Sequence, residues 1–434
     1  MKKLVLIMVG LFLITTANAQ DKEALKAQKE AKKAAESAFK KAKSTYEMSI
    51  PNETYGRKET DFEKLAGALP LIETAMESEY TRDNADTWKV AANIMFEFYK
   101  KQDNEVKADP DNEQLKADFL DKSSKLLTYS IKYDSLVVLD PKVKPEDIKK
   151  EHPKYQVIGV NAATQILQAA QNYSNSDKAE DLVLGAKYSE FFLYAMEKSH
   201  LMSDFTHENL EDWKTYAKAF RAQSYYNIPN TPEEKVISVY QDLMSTKYKG
   251  VAYQSLSNYY REKDVAKQNK YLQEGIDALK GDAEQNDLRA NFALILMQNL
   301  FRSGDKAGFK KIAQLIKDEY SENPDAINAY LMEGQMAFED RNYDEAKNIF
   351  LEANKKFPDD SKCLLMAARS VWMKAQSTGS KKADMDEAIS LFKQLEEENP
   401  EDPELWGESL YILYNNTQQT ALAAKYKKYY KASK

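Results

Sequence analysis

Residues 327–360 constrain the architecture of this chain more tightly than any other stretch. They set Tyr330, Gly334, Ala337, Phe338, Asn342, Tyr343, Ala346, Phe350, Ala353 and Pro358 in a run of 34 positions. Gly334 and Ala346 carry almost no side chain, so two antiparallel helices can cross closely where they meet. Phe350 is expected to fill the space toward the next hairpin. Pro358 stops the second helix, because it lacks an N–H and its ring clashes with the preceding turn. A single hairpin of this kind cannot bury its apolar face alone, so neighbouring hairpins must stack on it.

The order of small and aromatic residues resembles the tetratricopeptide (TPR) pattern: Trp-x2-Leu-Gly-x2-Tyr, then Ala-x3-Phe, then Pro. The likeness continues through the C-terminal part of the chain. Pro324, Pro358 and Pro400 close successive units, the first interval being 34 residues and the second 42. The eight extra residues fall within Lys374 to Asp384, where Ser377-Thr378-Gly379-Ser380 predicts a polar loop. Ala388 and Phe392 precede Pro400 at the distances by which Ala346 and Phe350 precede Pro358. Trp406 follows Pro400 by six residues, as Tyr330 follows Pro324. A final helix near Gln418 to Tyr430 is placed to cap the array. The resemblance implies an all-α fold, a right-handed α-solenoid of stacked antiparallel helix pairs in one or two arcs.

The chain divides into four stretches on this reading. Residues 1–19 have the layout of a cleavable secretory signal: Met1-Lys2-Lys3, the apolar run Leu4 to Ile14, then Ala17-Asn18-Ala19. The run is too short to span a bilayer, and no Cys follows the cleavage site to take a lipid. The mature chain is expected to start at Gln20 and to reach the periplasm, the outer-membrane periphery or the exterior. Residues 20–57 form a charged N-terminal helix and a break. From Asp21 to Ser44 there are eight lysines against four acids, with Leu25 and Phe39 as the large apolar groups, which predicts a solvated helix.

Residues 58–249 read as degenerate TPR-like hairpins and residues 250–434 as the C-terminal array. Asp86 is expected to cap a helix beginning near Trp88, its partner running from Glu113 to about Ser135. Asp103 to Asn112 reads as a polar loop whose acids lack the Gly and Glu spacing of a calcium site. Thr231 before Pro232 predicts another N-cap. Further pairs are predicted over 145–172 with 178–201, 208–227 with 232–248, 250–261 with 265–279, and 287–302 with 307–320.

Composition excludes several function classes. Charged residues make up 30% of the chain and Gly and Pro are scarce, which favours helices. Formal net charge is −7 at pH 7, against the basic stripe that a nucleic-acid binder needs. No later segment is long and apolar enough to cross a membrane. The single Cys363, within Cys363-Leu364-Leu365-Met366-Ala367, cannot form an internal disulfide and reads as a buried structural thiol.

Catalytic and metal constellations are weak at this level, and neither a cofactor nor a metal is expected. His152 stands before Pro153 in what reads as a loop. His200 and His207, with Asp204 and Glu208 nearby, match no compact helical metal spacing and read as exposed. There is no phosphate-binding Gly-rich loop and no Gly-x-Ser-x-Gly elbow.

In TPR proteins the first helix of each pair lines the groove, so the resemblance implies which residues face a ligand. They are Asn328, Leu331, Gln335 and Phe338 in one unit, Lys362, Leu365, Arg369 and Trp372 in the next, and Tyr411 and Tyr414 in the last. Amides can hold a peptide backbone, and aromatics supply contact area with few rotamers to freeze; Phe338 and Trp372 can equally pack between repeats. The implied function is non-enzymatic binding of protein or peptide partners in the bacterial cell envelope. Two readings stand beside it: glycan capture, as in TPR-containing carbohydrate-binding outer-membrane lipoproteins, and a helical enzyme with an unrecognised carboxylate pair.

Overall fold

The computed structural model describes residues 2–379 and 381–430, with side chains from residue 23 onward. The signal expected at 1–19 therefore lies outside the residues whose side chains are described. The described residues are helical throughout, apart from turns and one isolated bridge between Asn52 and Arg57. No described helix is long and apolar enough to cross a membrane. The chain separates into two compact units, residues 1–246 and 247–434.

The N-terminal unit runs α1 (Lys2–Ser49), α2 (Phe62–Ala66), α3 (Leu69–Glu77), α4 (Ala85–Ala108), α5 (Glu113–Leu139), α6 (Pro145–Ser174), α7 (Ala179–Lys198), α8 (Leu210–Asn227) and α9 (Glu233–Met244). Each of α4 to α8 packs on the next, giving the consecutive stacking of an α-solenoid. The leading helix is not simply solvated. Ala35, Ala38 and Ala42 are buried, and Ala42 meets Leu65, Ile72 and Ile94. Its apolar face joins these alanines, which bury little area each but let helices approach closely, to the partly buried Phe39 and Tyr46.

Several expectations about helix ends need correction here. Asn84, not Asp86, caps α4: its side chain accepts from the Asp86 N–H at 2.9 Å. The polar stretch from Asp103 is helical as far as Ala108, where Lys107 reaches Asp103 one turn back at 2.6 Å. Such i,i+4 pairs support a mostly polar helical turn whose one large apolar residue, Val106, packs on the core. Thr231 does not cap α9; its hydroxyl donates to the Ile228 carbonyl in the preceding turn. His152 lies inside α6, not in a loop, because Pro145 opens that helix and Pro153 is accommodated on its exposed side.

The C-terminal unit contains α10 (Lys249–Tyr260), α11 (Val265–Ala278), α12 (Asn286–Ser303), α13 (Lys306–Glu319), α14 (Ile327–Glu339), α15 (Tyr343–Lys356), α16 (Ser361–Ser377), α17 (Lys382–Glu398), α18 (Gly407–Asn416) and α19 (Thr420–Tyr426). Every helix packs on its neighbour in the chain, and the first helices α10, α12 and α14 also touch in succession. Antiparallel helix pairs thus stack one on another. Four hairpin turns hold a residue in the left-handed region: Gly304, Arg341, Gly379 and Gln418. Trp406, Tyr414 and Tyr426 are buried together, so α19 covers the last pair as a cap.

Phe350 is fully buried with Ala337, Ala346 and Ala367, which come from α14, α15 and α16. A Cβ built on Gly334 would stand 2.5 Å from Cε1 of the Phe350 ring, so only glycine admits the ring. Replacing Phe350 by Ala is expected to cost about 3–5 kcal/mol, and Gly334→Ala to destabilise by overpacking. Chemical denaturation followed by circular dichroism checks both; an unchanged midpoint in either variant contradicts the assignment.

Candidate functional site

The first helices of successive pairs bury one face against their partners and leave a polar stripe on the other. In α14, Ala329, Tyr330, Gly334, Met336 and Ala337 are buried, while Asn328 and Gln335 remain partly exposed. In α16 the core takes Cys363, Leu364, Ala367, Ala368 and Val371, and Lys362 and Arg369 face solvent. Leu331 and Leu365 are half-buried and pack against the clusters beneath them. The positions i and i+7 of this stripe lie two turns apart, roughly 10.5 Å along the helix.

A third helix repeats the arrangement, which the reading by sequence passed over. Asn291, Leu294, Gln298 and Phe301 of α12 match Asn328, Leu331, Gln335 and Phe338 of α14 in type and spacing, 37 residues earlier. Asn291 is exposed, Gln298 partly so, and Leu294 packs on the core. The identical spacing was the available signal; the interval of 37 rather than 34 hid it. Gln298 also lines a cleft of about 610 Å³ with Asn258, Arg261, Gln268, Asn299 and Arg302. Asn299 there donates to Gln268 and Asn269 at 3.0 and 2.8 Å.

The aromatics at the end of each stripe turn inward to the second helix of their own pair. Phe301 lies 5.7 Å from Phe309, Phe338 5.4 Å from Tyr343, and Trp372 6.1 Å from Phe392, centroid to centroid. They act as wedges within hairpins. The Trp372 Nε1–H is nevertheless buried without a protein acceptor. Tyr411 is half-buried against Tyr430 at 4.7 Å, and Tyr414 is buried against Tyr426 at 5.6 Å. The accessible groups of the predicted set are thus chiefly Asn328, Gln335, Lys362 and Arg369.

A second cleft, of about 470 Å³, lies between α5, α6 and α7 in the N-terminal unit. Tyr129, Tyr173, Tyr188 and Phe191 supply its apolar walls, and Asp121, Lys125 and Lys187 its polar rim. Tyr173 and Tyr188 are stacked at 5.9 Å. Ser124 borders the cleft with a buried hydroxyl that has no protein partner.

Burial pushes the Cys363 thiol up to about 11, and the residue is fully inaccessible. His207 stacks on Trp213 at 4.5 Å, apart from the other histidines. Among the described residues one set of metal-type donors comes together: Asp134, His152 and His200. Cys363 should resist maleimide in the native protein at pH 8 and react only after denaturation, read by intact mass. Rapid native labelling would mean that the thiol is accessible.

Neither a family model nor a curated protein matches this chain. Solved structures do, at low identity. The crystal structure of yeast Tom70 is 9% identical over 91% of both chains, with a TM-score of 0.29. The P58(IPK) TPR domain is 16% identical over 82% of this chain and 94% of its own, with a TM-score of 0.25. The human IFIT1 dimer with PPP-AAAA is 12% identical over 84% of this chain and 78% of its own, with a TM-score of 0.26.

Proposed function

We propose that this chain is a non-enzymatic helical-repeat scaffold that binds protein or peptide partners in the bacterial cell envelope. The leader-like segment at 1–19 would export it to the periplasm or the outer-membrane periphery. The observation that carries the binding reading is the stripe repeated on α12, α14 and α16. A buried core would accept any small or apolar residue, yet two of these helices expose the same Asn and Gln seven residues apart. Amide side chains both donate and accept, which suits the alternating N–H and C=O groups of an extended peptide. Lys362 and Arg369 extend the stripe with positive charge, so an acidic segment is favoured at that end.

The His152 ring beside Asp204 and the Arg289 guanidinium beside Glu319 hold those carboxyls below their ordinary range. Burial works the other way at Glu396, but the Lys393 ammonium and the Tyr426 hydroxyl outweigh it and keep that carboxyl low too.

Photocrosslinking tests the reading. Benzoylphenylalanine at Gln335 or Arg369 should give the same envelope-protein adduct in cells, and none from Lys355 on the exposed side of α15. Absence of an adduct, or an equal yield from Lys355, would refute a partner on this face.

Glycan capture is the second reading, favoured by the tyrosine-walled cleft and the unpartnered Ser124 hydroxyl. Aromatic faces stack on sugar rings, and a free hydroxyl can pair with a glycan hydroxyl. Binding of the chain to a polysaccharide panel, lost in Tyr188→Ala, would support it; no retention on any member would dismiss it.

A further inference from the structure

Three segments distant in sequence bring Asp134, His152 and His200 to one point. Asp134 lies near the end of α5 with its side chain only 2% exposed. His152 sits in α6, and His200 opens the 3-10 turn His200–Met202 that follows α7. One carboxylate oxygen of Asp134 is 2.7 Å from His152 Nδ1, and the other is 2.7 Å from His200 Nδ1. One ligand atom from each residue lies within 4.8 Å of the other two.

The surroundings hold this arrangement in place. Leu201 and Met202 are buried, and the turn settles on α6 because Gly159 offers no Cβ. A Cβ there would stand 2.7 Å from the Met202 methyl and 3.0 Å from Leu201. One turn from His152 along α6, Gln156 donates to the Leu201 carbonyl at 3.1 Å and to Asp204 at 2.8 Å. Asp204 also meets His152 Nε2 at 3.1 Å.

Both nitrogens of His152 therefore face carboxylate oxygens, yet a neutral imidazole has only one N–H. If Nε2 donates to Asp204, Nδ1 faces Asp134 either with a second proton or across a bound cation, so the same geometry serves an imidazolium and a metal ligand. A carboxylate behind a ligating imidazole is the usual support in metal sites, fixing the tautomer and raising ligand basicity. Ligands of a tetrahedral Zn²⁺ are about 2.0–2.1 Å from the ion and so roughly 3.3 Å apart. The 2.7 Å contacts would open by about half an ångström and the wider separations, within 4.8 Å, would close toward that spacing to admit it.

We propose that Asp134, His152 and His200 form a binding site for a borderline divalent transition ion, Zn²⁺ foremost. The chain supplies two imidazole nitrogens and one carboxylate, and Asp204 orients His152 from behind. Imidazole donors select against Ca²⁺ and Mg²⁺, which prefer all-oxygen sets. Three protein ligands leave a fourth position for water. The ion would pin the segment after α7 to α5 and α6.

The test uses the whole chain after chelator treatment and dialysis, titrated with Zn²⁺ alone by calorimetry and with Co²⁺ by visible absorption. The expected result is one ion per chain, tetrahedral-type Co²⁺ bands and a zinc-dependent rise in melting temperature. His152→Gln and His200→Gln should each weaken binding more than tenfold and abolish the rise. His200 is half-exposed, so its variant should fold, and an unchanged melting temperature without zinc would establish that. Asp204→Asn should weaken binding about 10- to 100-fold while keeping the stoichiometry. His207→Gln should bind as the parent does. No retained ion, or equal affinity in the parent and both ligand variants, overturns the site.

Discussion

The seating of the Phe350 ring on Gly334 sets the separation of α14 and α15, and the C-terminal unit is built outward from it. Ala346 and Ala337 complete the walls around the ring, and Ala367 closes the space from the next hairpin. One side chain therefore joins three helices. A hairpin cut from its neighbour would expose part of this ring, so its stability depends on that neighbour. The capping helix α19 answers the same need at the end of the array, where Tyr426 shields Trp406 and Tyr414.

This packing also decides what is left for binding. Once the small and aromatic residues of a first helix turn to the core, its remaining face has a fixed orientation. The leucines at 294, 331 and 365 and the aromatics at 301, 338 and 372 anchor that orientation. The groups between them then face outward: Asn and Gln on α12 and α14, Lys and Arg on α16. Aromatic contact area, often the main source of affinity in a groove, is here largely spent within hairpins. The stripe offers hydrogen bonds and charge, so recognition of backbone and acidic side chains fits it better than recognition of a hydrophobic motif.

Helix pairs in the C-terminal unit were readable because each carries its own punctuation: a proline, a left-handed turn or an Asp cap. Pairs 250–261 with 265–279 and 287–302 with 307–320 match the observed helices within one or two residues. Where punctuation was ambiguous, the ends slipped. Asn84 and Asp86 are equally good caps by chemistry, and backbone geometry chose the first. The polar helical turn after Asp103 carried no apolar period to reveal it. The alanine face of α1 was discounted because small residues signal packing weakly in a sequence and strongly in a structure. The Asp134, His152 and His200 cluster was illegible for another reason: its members lie 18 and 48 residues apart, with no local spacing to recognise.

The two units fasten their helices by different means, and this explains where polar chemistry accumulates. Helices α4 to α7 contain 24, 27, 30 and 20 residues, whereas α14 and α15 contain 13 and 14. A longer helix crosses its partner over more turns, and a single glycine–phenylalanine plug cannot hold both ends. The N-terminal unit uses buried polar contacts instead. Tyr155 is fully buried, packs on Tyr133 at 4.5 Å and reaches Asn93 with its hydroxyl at 2.9 Å. Toward the end of α5, the buried Asp134 carboxylate does the corresponding work with two imidazoles. An unpaired charge at that depth would cost several kcal/mol, so the fold has to bring it partners. Collecting two histidines around one buried carboxylate meets that structural need, and the same collection supplies the donors that a transition ion requires.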